Sequence, residues 1–119
     1  MSTYAVIAIK RPNGTVNLAR LLQNGDPENA GTILCSAYKT TEQVEALLAL
    51  GEILNLDTTQ EKSTAQRSGL PGYVRDEEML VRNFDMTHFI YLFDNGKWRY
   101  FDTFGSTEWH KLNAVSSNE

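Results

Sequence analysis

The sequence predicts an α+β fold: an antiparallel sheet built from two β-hairpins, with an αα pair packed on one face. Three observations carry this. Short runs rich in β-formers, bounded by turn residues, lie near both ends of the chain, at residues 4–9 and 87–103. Between them, apolar residues recur at helical spacing in two consecutive stretches. Asp94-Asn95-Gly96-Lys97 carries the Asn-Gly signal of a type I′ hairpin turn. With 119 residues, residues 1–119 are expected to form a single domain that buries a core without staples.

The first run, Tyr-Ala-Val-Ile-Ala-Ile at 4–9, is short and continuous, the pattern of a buried strand. Lys10-Arg11-Pro12-Asn13-Gly14 is a turn. Pro12 pre-sets φ for its first position, and Gly14 tolerates the left-handed conformation. Residues 15–21 return as a second strand, with either that turn or Asn13-Gly14 alone as the loop. In Gln23-Asn24-Gly25-Asp26-Pro27-Glu28, Asp26 suits an N-cap, Pro27 the first helical position, and Glu28 the positive end of the helix dipole. Ala30, Ile33, Leu34, Ala37 and Tyr38 follow as one apolar stripe, so residues 27–38 are expected to be helical. Thr40 and Gln43 have capping-box spacing. Val44, Leu47 and Leu48 form the second stripe, Gly51 is a natural stop, and Ile53, Leu54 and Leu56 tuck the exit against the core.

Residues 57–69 hold almost no large apolar side chain and read as a long polar loop, ahead of a turn at Gly69-Leu70-Pro71-Gly72. Residues 76–83 fit a short helix. In the hairpin at 87–103, a two-residue loop sets Phe93 opposite Trp98, Tyr91 opposite Tyr100 and Phe89 opposite Asp102 on one face. Leu92 then meets Arg99, and Ile90 meets Phe101, on the other. Residues 105–112 are expected to be a closing turn or short helix, and 116–119 a frayed tail.

Charge excludes several classes of function. Eleven basic against fifteen acidic residues give a net charge of −4. That argues against non-specific nucleic-acid binding, which needs a basic footprint, and is too mild for a mimic of the DNA backbone. The sequence has no long apolar run of membrane-spanning length and no signal-peptide pattern. The expectation is a protein that stays in the cytoplasm where it is made and does not bind membranes. Cys35 is the single cysteine, so an internal disulfide is excluded.

The chemistry-bearing motifs are few. His88 and His110 lack metal-ligand spacing, and neither CxxC nor HExxH occurs, so no metal is expected. Cys35 reads as a small apolar residue beside a core. Nucleotide-binding glycine motifs are absent, and at residues 25–29 Asp26 and Glu28 would oppose an anion at the helix start. Asp76, Glu77 and Glu78 are consecutive and do not converge on one metal. Tyr91, Phe93, Trp98 and Tyr100 form either a stacking platform for a base, with Arg99 nearby, or a face that packs on helices. Arg75, after Tyr73 and before Asp76, either pairs locally or contacts a phosphate or carboxylate.

Several segments resemble, in order, a family of small accessory proteins of tailed bacteriophages. They are Gly25-Asp26-Pro27-Glu28, residues 34–38 with Thr40, residues 44–52, Tyr73-Val74-Arg75-Asp76, and residues 91–98. Typical members carry an Asp-Gly-Tyr-Pro-Glu turn, a helix closing on Leu-Gly-Asp, and a hairpin with Gly-Lys-Trp. Here Asp26 stands where tyrosine is usual, and Gln23-Asn24 replace Trp-Asp. The resemblance spans residues 4–101 and implies a viral protein acting in a host cytoplasm rather than a mechanism. The expectation is a non-enzymatic binding protein, without cofactor, that inhibits a host protein of the antiviral-defence class. The rival is a nucleotide-binding protein that sequesters a defence signalling molecule. The candidate ligand- or partner-binding residues are Arg20, Asp26, Tyr73, Arg75, Asp76, Tyr91, Trp98 and Arg99. A homo-oligomer is compatible with the pattern.

Overall fold

The computed structural model describes residues 3–58, 63–67, 72–84, 87–105 and 108–112. Its framework is a sheet in the order β4-β3-β2-β1-β6-β7-β8, with β5 also on β2. The strands are β1 (Ala5–Lys10), β2 (Val16–Leu21), β3 (Glu52–Asn55), β4 (Thr64–Arg67), β5 (Gly72–Val74), β6 (Phe89–Asp94), β7 (Lys97–Asp102) and β8 (His110–Lys111). Among the described residues the helices are α1 (Thr32–Ala37), entered through a π-helical turn at Pro27–Gly31, α2 (Thr41–Leu48) and α3 (Glu77–Asn83).

The chain is thus α+β, but its sheet is mixed, which corrects the expectation of an antiparallel sheet. β1 pairs antiparallel with β2 but parallel with β6, Ala5 opposite Phe89 through Ile9 opposite Phe93. β2 meets β3 in parallel at Leu21 and Ile53. Parallel neighbours need a crossover of a dozen or more residues, and the α1–α2 pair is that crossover between β2 and β3. Strand β1 is buried on both faces, which is why its apolar run is continuous rather than alternating.

The sheet is covered on both faces, not one. Ala5, Ile7 and Ile9 point toward α1 and α2 and share a core with Leu34, Tyr38, Val44, Leu47, Leu48 and Tyr91. Val6 and Ala8 point the other way, into a second core with Leu18, Ile90, Leu92, Val74 and Leu80 of α3. The period of two along each strand divides the apolar residues between these cores.

Local signals explain most elements. At α2, the Thr40 side chain accepts from the Gln43 N–H while the Gln43 side chain accepts from the Thr40 N–H, the reciprocal capping box. Asp76 caps α3 by accepting from the Met79 N–H at 2.9 Å. Asn95 and Gly96 have φ of 54° and 82°, the paired positive values of a type I′ turn. The β6–β7 register follows, with Phe93 opposite Trp98 and Tyr91 opposite Tyr100. Two expectations are corrected, and a third lies mostly outside the described residues. The polar stretch 57–69 contains β4, which pairs with the apolar exit strand β3; the rest of that loop, except 57, 58 and Ser63, lies outside the described residues. Of the turn at 69–72, Gly72 alone is described, and it begins β5. Residues 110–111 form a strand on β7, within the stretch 105–112 expected as a closing turn or short helix. The tail 116–119 also lies outside the described residues.

Candidate functional site

The structure disperses the eight residues singled out in the sequence. Tyr91 is fully buried, its hydroxyl donating to the Gly25 carbonyl at 2.6 Å. Trp98 is buried too, its indole N–H donating to the Tyr38 carbonyl at 2.8 Å. Both belong to the α1–α2 core, so of the two alternatives for this face, ligand platform or packing on helices, the structure shows the packing, which removes these two from the candidate ligand-binding residues. Phe93 is buried beside Trp98, with ring centroids 5.1 Å apart. Burial, and then the charge of Asp26, push the Tyr91 hydroxyl above its ordinary pKa, so it stays a donor.

Arg99 and Arg20 lie on the opposite face. Arg99 bridges Glu77 and Asp94, each at 3.1 Å, and sits over the Trp109 ring at 5.2 Å. Lys10 reaches the same Glu77 at 3.3 Å. Burial alone would raise the Glu77 carboxyl, but Arg99 and Lys10 outweigh it and hold Glu77 below the ordinary glutamate range. Arg20 lies over the Phe84 ring at 5.8 Å, beside a cleft of about 450 Å³. Arg75 is exposed and pairs with its neighbour Asp76 at 3.4 Å. The Asp76 carboxyl is lowered chiefly by the Met79 N–H it accepts, so its role in the fold is the α3 cap. Asp26 occupies an N-cap position without capping; its carboxylate accepts from the Asn29 side chain at 2.9 and 3.0 Å. Tyr73 stands 63% exposed on β5, opposite Asn17 of β2.

An aromatic patch that the sequence reading missed lies where β6 begins and β7 ends. Tyr4 is 50% and Phe104 is 60% exposed, and the half-buried His88 stands between them. The His88 ring meets Phe104 edge-on with centroids 5.0 Å apart, and Tyr4 at 6.5 Å. Phe104 is held out by the turn after β7, where Asp102 Oδ1 accepts from the N–H groups of Phe104 and Gly105, each at 3.1 Å. No local sequence signal separates these rings from core aromatics, since Tyr4 directly precedes a buried strand.

At the other end of the hairpin a cleft of about 650 Å³ opens beside the type I′ turn, with Lys39, Lys97, Lys111 and Arg99 in its wall. The Cys35 thiol lies on its apolar side, donates to the Leu112 carbonyl at 3.1 Å, and is pushed above its ordinary pKa by burial, the state of an unreactive thiol. Among the described residues, no group of three or more His, Cys, Asp or Glu is placed to hold a metal ion. Among them, too, no helix is long and apolar enough to cross a membrane.

Comparison with family models, with curated proteins and with solved structures finds no match.

Proposed function

We propose that the chain is a phage-encoded, non-enzymatic binding protein that inhibits a host protein in the host cytoplasm, with a component of antiviral defence as the target class. The observation that supports this reading is the Tyr4–His88–Phe104 patch. Aromatic side chains dominate the energetics of protein interfaces, because each buries a large rigid surface at little entropic loss. This fold buries Tyr38, Tyr91, Phe93 and Trp98 completely or nearly so, yet leaves Tyr4 and Phe104 half in water. The resemblance to phage accessory proteins supplies the viral setting. The nucleotide-sequestering rival draws on Arg20, Arg75 and the hairpin aromatics, and of these aromatics Tyr91 and Trp98 lie in the α1–α2 core.

The test is capture from host lysate by the tagged wild type and by a Tyr4→Ser/Phe104→Ser variant. The expected result is one host protein held in stoichiometric amount by the wild type and retained at least tenfold less by the variant. Both rings are half exposed, so the variant should melt like the wild type. Equal retention by both proteins, or no stoichiometric partner, refutes the reading.

A further inference from the structure

Among the described residues the cations fall into three groups: those that reach a carboxylate, Arg20 over the Phe84 ring, and three lysines that do neither. Lys10, Arg11, Arg75, Arg82 and Arg99 each reach a carboxylate. Among the described residues, Lys39, Lys97 and Lys111 reach none, and all three are exposed in the wall of one cleft. The elements bring them together from distant positions. Lys39 follows α1, Lys97 flanks the type I′ turn, and Lys111 sits on β8 opposite Arg99. Strand β8 pairs with β7 only as far as Arg99, with one further bond from the Leu112 N–H to the Trp98 carbonyl, and the cleft opens beyond it.

Three ammonium groups with no ion pair among the described residues, around one opening, run against the net charge of −4. They repel one another, and an anion between them relieves that repulsion. Asp94 is the carboxylate in the same wall, and Arg99 already meets it at 3.1 Å. Two of the polar groups in its lining are already partnered: the Trp98 N–H donates to Tyr38 and the Cys35 thiol to Leu112. Recognition therefore rests on the charged rim. Lysine meets phosphate as a compact point charge with rotatable donors, and several lysines suit several phosphates. A volume of about 650 Å³ lies in the range of small-molecule sites. We propose that this cleft binds a small molecule carrying two or more phosphate groups, of nucleoside-polyphosphate size. The site lies at the opposite end of the β6–β7 hairpin from the aromatic patch, so it stands independently of the partner surface.

Calorimetric titration of the intact chain with inorganic tripolyphosphate, and separately with ATP, at low ionic strength tests this. The expected result is saturable binding at one site that weakens as salt rises. The Lys39→Gln/Lys97→Gln/Lys111→Gln variant should bind at least about tenfold more weakly, and Lys97→Gln alone should weaken binding in the same direction. Arg82→Gln, which removes an exposed cation on α3, should leave affinity unchanged. No heat from either probe at millimolar concentration overturns the proposal. So does undiminished binding by the triple variant, or an equal loss in Arg82→Gln, which would mark diffuse attraction. An octaglutamate peptide that binds more tightly than ATP through the same lysines overturns it in favour of an acidic protein segment. None of these outcomes bears on capture through Tyr4 and Phe104.

Discussion

Replacing Tyr91 with phenylalanine removes one oxygen from the centre of the α1–α2 core and keeps the ring. The hydroxyl donates to the Gly25 carbonyl at 2.6 Å, and both residues are buried. Gly25 has no room to rearrange. A Cβ there would stand 2.7 Å from the Ala5 Cβ and 2.9 Å from the Thr3 carbonyl oxygen, while its own N–H donates to that oxygen at 2.9 Å. The orphaned carbonyl therefore stays in place, away from water. Losing a buried hydrogen bond and leaving its acceptor unmatched costs about 1–3 kcal/mol. At this chain length each kcal/mol moves the melting temperature by roughly 3–6 °C. Thermal melting and urea unfolding followed by tryptophan fluorescence should both show the loss. Tyr100→Phe is the control: its ring is half-buried and its contacts are with other rings, so it should stay within about 0.5 kcal/mol of wild type. The Tyr91 pKa is raised in the fold, so its stabilising contribution is complete below the ordinary tyrosine value and is lost as pH climbs past it. The wild type should lose stability at alkaline pH more steeply than Tyr91→Phe. A Tyr91→Phe protein that melts with the wild type refutes the buried hydrogen bond, and one that keeps its stability but loses partner capture returns Tyr91 to a binding surface.

Three further perturbations check other links. Gly96→Ala meets no neighbour within 4 Å but must adopt φ near +82°, so it should destabilise by about 1 kcal/mol through strain alone; an unchanged urea midpoint refutes the turn. Glu77 has its carboxyl lowered by Arg99 and Lys10 against the opposing effect of burial, so its contribution is present above the ordinary glutamate range and disappears as pH falls through the folded value. Acid melting should therefore separate wild type from Glu77→Gln at neutral pH and bring them together in acid; parallel curves refute the network. Leu34→Ala should cost about 2–5 kcal/mol from a fully buried site, and Ile33→Ala less, because its side chain is half-buried; equal losses refute this placing of the stripe.

What was legible in the sequence is what short-range chemistry decides. The capping box at Thr40 and Gln43, the Asp76 cap and the Asn95-Gly96 turn each depend on atoms within four residues, so residue types at fixed offsets suffice to find them. The stripe of Ala30, Leu34 and Tyr38 also places its own face. Strand neighbours across the sheet depend on contacts far apart in sequence. The parallel pairing of β1 with β6 joins residues 84 apart, and no local motif encodes it. One signal was present: a strand buried on both faces cannot alternate, and the unbroken run at 5–9 marked β1 as central. That run called for cover on both sides, which α3 and β5 supply through Leu80 and Val74. Strand β4 was invisible for the opposite reason, because a polar segment can pair by backbone alone when its partner β3 supplies the apolar side chain, Ile53.

The candidate sites were harder to read because side-chain identity does not fix exposure. In sequence Tyr91 and Trp98 fit either a binding platform or a packed face, and nothing marks Phe104 as exposed, yet the fold buries the first two and exposes the third. The deciding fact is which face the α1–α2 pair covers. Its stripe needs an apolar partner, and the face bearing Tyr91, Phe93 and Trp98 is the one it meets. The cations follow the same logic. Arg99 is drawn into the α3 face because Glu77 and Asp94 meet it there, so its charge is matched within the fold. Lys39, Lys97 and Lys111 lie at the ends and edges of their elements and, among the described residues, form no ion pair, while the nearby Asp94 meets Arg99. An arginine with two carboxylates is spoken for by the structure, whereas three lysines with none are left to whatever anion reaches the cleft, a distinction that net charge and spacing cannot express.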